Sequence, residues 1–335
     1  LLFKGSGYYN YIIEITKSYF EGQNMNTEKF VKKMSDGNEN IIHAWIPDGS
    51  VKGVVVLSHG MAEYAMRYDY FGKLLSNEGY AFYAEDHRGH GETAELAKKK
   101  GTGGFGYLAD KNGFLRVVDD IHEEVLDLKE KYHGKKIVLF GHSFGSFVSQ
   151  CYCEKYGDSI DGCILCGTAG PREALVHFAR GMASVIKFFT GKKHVSKFMD
   201  GIAFGSYNSK IKNPRTSSDW LSRDEENVDK YVADKWCGFT CTIGFFYDMF
   251  NGLCIIHEKK NMDSIPKNLP IYFIDGTGDP VGSYGQSVKS LYDIYLANGM
   301  KNVKVKFYEG ARHELLNETN HAEVENDIIT WVKEL

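Results

Sequence analysis

Residues 135–149 read KKIVLFGHSFGSFVS. Within them Ile137–Phe140 is an apolar run with the length of a short buried strand. It breaks at Gly141-His142-Ser143-Phe144-Gly145, a G-x-S-x-G sequence, and Phe144 to about Tyr156 then reads as a helix. Strand, tight turn and helix are the setting in which a serine is held in a strained backbone conformation with its hydroxyl exposed at a strand end. Such a turn needs neighbours without bulk on either side, and Gly141 and Gly145 meet that need. The start of the following helix aims N–H groups without intrahelical partners at any negative charge that develops there. Because G-x-S-x-G also arises by chance, the rest of the chain decides its meaning.

Upstream, Glu28–Met34 and Asn40–Ile46 alternate as two antiparallel strands joined by Ser35-Asp36-Gly37-Asn38. Lys52–Ser58 is a nearly continuous apolar run, as expected of a central parallel strand, and ends at His59-Gly60. Tyr68–Glu78 reads as a helix and Tyr80–Glu85 as the next strand, which closes on Asp86-His87-Arg88-Gly89-His90-Gly91. Residues 98–113 read as loop, and Phe114–Tyr132 carries a helical apolar stripe. Downstream, Ile160–Cys166 is a strand. The α/β rhythm then stops from 171 to about 265, where the pattern predicts helices over Glu173–Thr190, Lys193–Phe204, Asp224–Ala233 and Gly244–His257. It resumes with strand Pro270–Ile274, helix Tyr284–Asn298, strand Val303–Tyr308 and helix His321–Leu335. Alternating strands and helices imply a mainly parallel sheet covered on both faces. The expected division is a core of residues 25–170 and 266–335 with a helical cap inserted at 171–265.

The chain has 335 residues, 43% hydrophobic and 25% charged, ordinary for a globular protein able to bury a large core. A net charge of −4 and the lack of a basic stripe argue against a nucleic-acid partner. The seven cysteines show no zinc spacing and read as reduced, mostly buried thiols of a cytoplasmic protein. No stretch approaches the roughly 20 apolar residues of a membrane span. No exposed apolar lid helix is evident, so no stable membrane insertion is expected. Met25 reads as a natural start. Residues 1–24, with one amphipathic helix conceivable over Tyr8–Phe20, are set aside as an N-terminal extension of open native status.

A nucleophilic serine needs a base, and the base needs an orienting carboxylate. Asp275 and Asp279 both follow the strand Pro270–Ile274. Asp279 lies further round the turn, where it can reach a neighbouring loop, and is preferred; Asp275 is the alternative. His313, in the loop after Val303–Tyr308, is the base. His142 is expected to point away from Ser143 and pack. Two N–H donors for an oxyanion are expected from Phe144 and Met61, with Glu63 and Arg67 bracing the Met61 loop.

His59-Gly60-Met61-Ala62-Glu63, Arg67-Tyr68, Asp86-His87-Arg88-Gly89-His90-Gly91, Gly141-His142-Ser143-Phe144-Gly145, Gly276-Thr277-Gly278-Asp279 and Gly310-Ala311-Arg312-His313-Glu314 stand in that order. Together they resemble the lysophospholipase / monoacylglycerol lipase group of α/β-hydrolases, catalogued with the serine aminopeptidases. The resemblance covers about residues 25–335, least securely in the cap. It implies the α/β-hydrolase fold, the triad Ser143–Asp279–His313, and oxyanion donors at Met61 and Phe144. Ser143 argues against the carboxylate nucleophile of a dehalogenase or epoxide hydrolase. The expected reaction is hydrolysis of a carboxylester through an acyl-enzyme, with a single-chain acyl ester such as a monoacylglycerol or lysophospholipid as small-molecule substrate. No cofactor and no metal are expected. Phe239, Phe245, Phe246 and Met249, with other cap aromatics such as Phe178, Phe188 and Phe189, are the expected apolar wall of the substrate pocket. Two alternatives stand beside this. One is an aminopeptidase or amidase of the same fold, with Asp224-Glu225-Glu226 holding an ammonium; the other is a ligand-binding member without turnover.

Overall fold

Val54-Val55-Val56-Leu57 has no polar face, and the structure buries both of its sides. Val54 and Val56 point into one core, Val55 and Leu57 into the other, as the two-residue repeat of a strand requires. The same division runs through Ile137–Phe140 and Cys163–Cys166. In a computed structural model describing residues 14–20 and 23–335, nine strands form one sheet. They are β1 (Glu14–Phe20), β2 (Gln23–Lys33), β3 (Glu39–Pro47), β4 (Gly53–Ser58), β5 (Tyr80–Glu85), β6 (Lys136–His142), β7 (Gly162–Cys166), β8 (Ile271–Gly276) and β9 (Val303–Tyr308). The order across the sheet is β1-β2-β3-β5-β4-β6-β7-β8-β9. From β5 to β9 every pairing is parallel; β1, β2 and β3 form an antiparallel extension.

The helices are α1 (Asp69–Asn77), α2 (Gly91–Lys100), α3 (Gly113–Lys131), α4 (Phe144–Tyr156), α5 (Glu173–Thr190), α6 (Lys197–Phe204), α7 (Glu225–Ala233), α8 (Ile243–Ile256), α9 (Lys259–Met262), α10 (Gln286–Ala297) and α11 (His321–Glu334). Helices α1 and α11 cover one face of the sheet, while α3, α4 and α10 cover the other, with α8 packed on α3 and α4. Between β7 and β8 the chain adds α5 to α9 and no strand of the sheet.

Four expectations change. Part of the segment set aside at 1–24 belongs to the sheet: Glu14–Phe20 is strand β1, paired to β2, and not helix. Residues 1–13 lie outside the described residues. The loop expected from 98 begins later, because α2 runs to Lys100. Glu92 in its first turn, three lysines in its last and Gly101 behind it are helix signals. Phe245 and Phe246 do not wall a pocket. Both are fully buried and belong to the core that α8 shares with α3 and α4, Phe245 with its ring 5.0 Å from that of Phe144. Finally, an exposed apolar helix exists. Phe178, Phe188 and Phe189 of α5 stand 64%, 83% and 79% exposed, with Leu175 and Val185 beside them. These aromatics were expected to face a pocket, and among the described residues none covers them.

Because Phe246 is core, Phe246→Ala should destabilise the fold by about 3–5 kcal/mol, measured by urea unfolding. A pocket-wall role would instead leave stability intact and move only KM.

Candidate active site

Ser143 sits between β6 and α4 with φ +54° and ψ −120°, a left-handed conformation that costs a non-glycine residue strain. The turn is possible only because its neighbours lack side chains. A Cβ on Gly145 would overlap the Ser58 carbonyl oxygen, and one on Gly141 would overlap Ser149 Oγ. The Ser143 N–H donates to the Cys166 carbonyl at 2.9 Å, which locks the turn to β7. Phe144 opens α4, so its N–H belongs to the helix's free first turn. The loop after β4 packs onto the same turn. A Cβ at Gly60 would lie 3.2 Å from Ser143 Cβ, which brings the Met61 backbone beside the serine.

Asp279 and His313 come from the loops after β8 and β9. Asp279 Oδ2 meets His313 Nδ1 at 2.7 Å, and Asp279 Oδ1 accepts the Val281 N–H at 2.8 Å. Burial alone would raise the Asp279 carboxyl, but the His313 charge and the hydrogen bonds from His313, Asp275 and Val281 hold it below the usual range. His313 is 1% exposed, and its Nε2 has no hydrogen-bond partner among the described residues. Ser143 and His313 line the same cavity. Of the two carboxylates considered, Asp279 reaches the histidine and Asp275 does not.

The Glu63–Arg67 brace is larger than expected. Glu63 accepts hydrogen bonds from the Gly60 N–H at 2.5 Å, Tyr68 Oη at 2.9 Å, Arg67 at 2.7 Å and His142 Nδ1 at 2.9 Å. Arg67 then grips both oxygens of Glu314, at 2.6 and 2.7 Å, in the residue after His313. The Met61 loop and the His313 loop are thus bolted through one buried guanidinium. Burial works against the charged forms. Hydrogen bonding and charge from His142 and Arg67 nevertheless hold Glu63 well below its ordinary value, and Glu63 in turn raises His142. His142 therefore does not merely pack: it is an ion-pair partner, with its ring 4.9 Å from that of His313. His59, His87 and His90 form a separate buried cluster that burial keeps neutral.

Two spaces meet at Ser143, Met61 and Phe204. One, about 280 Å³, is lined by Asp200, Asn208, Ser217, Ser218, Trp220 and Phe239. The other, about 140 Å³, is lined by Phe147, Val176, Ala179, Met249, Phe250 and Leu253. Of the four side chains expected to form one apolar wall, Met249 lines the smaller, apolar space and Phe239 the larger, mixed one. Trp220, Phe204 and Asp200 were missed, since nothing in periodicity shows which side of a cap helix faces inward. Asp224 caps α7, accepting the Glu226 and Asn227 N–H groups, while the Glu225 and Glu226 side chains point to solvent. That acidic triplet starts a helix and lines neither space.

Parallel sheet, strained serine turn at its carboxyl edge and Asp–His pair on the loops after β8 and β9 define an α/β-hydrolase. More narrowly, the chain belongs to the serine aminopeptidase S33 family, whose model matches residues 49–320. It is similar to the monoglyceride lipase of Rattus norvegicus, 25% identical over 304 residues that span 89% of this chain and 88% of that protein. It is likewise similar to the monoacylglycerol lipase of Mycolicibacterium smegmatis, 26% identical over 88% of this chain and 94% of that one. Among solved structures, a thermostable carboxyl esterase from Bacillus coagulans superposes with a TM-score of 0.84, at 28% identity, covering 92% of this chain and 98% of that one.

Glu63→Gln should cost about 3 kcal/mol at neutral pH, since it leaves His142 without a buried counter-charge and Arg67 with Glu314 alone. The ionised Glu63 stabilises the fold above its ordinary value of 4.5, and that stabilisation is lost as pH falls through its lowered value. The variant's melting temperature should therefore vary less with pH on the acid side than the wild type's.

Proposed function

We propose that this chain hydrolyses carboxylesters of a single acyl chain on a small neutral alcohol, a monoacylglycerol-like substrate. What carries the reading is the pair of dissimilar spaces meeting at Ser143: one walled by apolar side chains, the other mixed, with hydroxyls, an amide and carboxylates set among Phe204, Trp220 and Phe239. The acyl chain enters the first, and the alcohol occupies the second. The relatives named monoglyceride or monoacylglycerol lipase, and the carboxyl esterase, support the same class. The exposed aromatic face of α5 suits a protein that meets its substrate at a lipid–water boundary.

In this mechanism Ser143 Oγ attacks the ester carbonyl while His313 Nε2 takes its proton. Asp279 holds the ring through Nδ1 and stabilises the imidazolium. The Met61 and Phe144 N–H groups receive the oxyanion. Collapse expels the alcohol, which takes the proton back from His313, and water then releases the acid from Ser143 by the same steps.

The alcohol space also ranks the two lipid alternatives. Its lining includes Asp200, Glu63 and Glu314 and no lysine or arginine. Glu63 and Glu314 are already paired with Arg67 and His142, so a phosphate-bearing head group would find no free cation and would face the Asp200 carboxylate, which disfavours lysophospholipids carrying net negative charge.

Monooleoylglycerol and lysophosphatidate of the same acyl chain separate these outcomes. Monooleoylglycerol should give a kcat/KM at least about 10-fold higher, and Ser143→Ala should abolish turnover of both. Across p-nitrophenyl esters kcat/KM should rise about fourfold per methylene until the apolar space is full. A preference for the phosphate ester, or a profile falling from acetate onward, would contradict the proposal.

A further inference from the structure

Asp275, the other carboxylate at the end of β8, has no part in that mechanism, yet it is fully buried against it. Neither of its oxygens receives a full hydrogen bond from a protein N–H or O–H. The Gly282 backbone closes over it so tightly that a Cβ there would overlap Oδ2. Its carboxyl lies beside that of Asp279, because the two grip consecutive residues: the Val281 N–H donates to Asp279 Oδ1, and Gly282 packs on Asp275 Oδ2. Asp279 already accepts from His313 at one oxygen and from the Val281 N–H at the other. Two carboxyl groups buried in contact cannot both be ionised, and they share one proton. The anion belongs on Asp279, where two N–H donors stabilise it, so the proton belongs on Asp275.

We infer that Asp275 is a positioning residue: as a neutral carboxylic acid it donates a hydrogen bond to the Asp279 carboxylate and fixes the oxygen that faces His313. The inference rests on the triad proposed above. The groups facing the pair are Arg172 at the start of the cap, Cys166 at the end of β7, Tyr207 from the cap and the Gly276 N–H. Arg172 and the Gly276 N–H favour an anion. Burial and the Asp279 charge outweigh them and hold the Asp275 carboxyl well above the ordinary range. Cys166 is pushed up by burial and stays an uncharged thiol, and Tyr207, pushed up to about 12, stays an uncharged phenol. The donated hydrogen bond draws charge from Asp279 and moderates its pull on the His313 imidazolium. Losing the donor lets Asp279 swing and makes that pull stronger. Turnover should fall, and the acid limb of the pH profile should move up.

The test compares Asp275→Asn, which keeps a donor and the shape, with Asp275→Leu, which keeps the volume and loses the donor. Asp275→Leu should lower kcat about 10- to 100-fold with little change in KM. It should also move the acid limb of kcat/KM up by about 0.5 pH. Asp275→Asn should restore kcat to within about fivefold of wild type, with the acid limb unmoved. Difference infrared spectroscopy at neutral pH should show a neutral carboxyl band in the wild type that Asp275→Asn removes, and this readout decides the matter if Asp275→Leu does not fold. An Asp275→Leu enzyme with wild-type kcat and acid limb overturns the inference. So does an Asp275→Asn enzyme as impaired as Asp275→Leu, or an infrared difference without that band. Fluorophosphonate labelling of Ser143 in the wild type keeps the two levels apart. Its failure strikes the triad, whereas a labelled wild type with an indifferent Asp275→Leu strikes only the role of Asp275.

Discussion

The backbone of Ser143 is held where an L-residue does not rest, and much of the molecule exists to hold it there. A positive φ at a non-glycine residue is retained only when the surroundings over-determine it. Here they do so by contact. The first turn of α4 presses on the end of β4 so closely that Gly145 has no room for a side chain beside the Ser58 carbonyl. The same pressure that strains the serine brings the loop after β4 against it, and with that loop the Met61 N–H. The strained serine and the N–H proposed as second donor for its oxyanion are thus consequences of one close approach. The parallel order β4-β6-β7-β8-β9 does the rest, because it delivers the loops carrying Ser143, Asp279 and His313 to one edge of the sheet.

Loops delivered to one edge still have to be fixed, and buried charge does this. Arg67 joins Glu63 of the Met61 loop to Glu314 of the His313 loop, and His142 completes the cluster from inside the serine turn. Buried ion pairs of this kind add little net stability, but breaking one is costly, so they specify geometry. The cap is fastened to the same loop. Arg312 donates to the Asp219 and Ser222 carbonyls, the Glu314 N–H donates to the Leu221 carbonyl, and Arg223 pairs with Glu318. The Gly238 N–H and Tyr231 hydroxyl bond to the Ala62 carbonyl on the opposite side. The walls above Ser143 and the groups proposed to act on its substrate are therefore one mechanical unit.

What the sequence revealed and what it hid divide along physical lines. Strands buried on both faces announce themselves as apolar runs, so Val54–Leu57, Ile137–Phe140 and Cys163–Cys166 were legible, and with them the loops that follow. The Ser143 turn was legible because only small neighbours permit it. Asp279 was favoured over Asp275 by its reach around the turn. The cap was harder. An apolar helical stripe looks the same whether core, ligand or solvent covers it. Phe245 and Phe246 were therefore placed at the pocket and lie in the core, and Phe188 and Phe189 were placed inward and stand in solvent. Pairings across distance, such as Arg67 with Glu314, or Asp275 with Asp279, leave no periodic signal at all.

The central claim is that the strained serine is the atom that carries the acyl group. Acid quenching in the first turnovers on a p-nitrophenyl octanoate, followed by peptide mass spectrometry, tests it directly. The expected result is an octanoyl adduct on the peptide that contains Ser143 and on no other. Steady turnover with no acyl adduct there, or an adduct on a different residue, would contradict it.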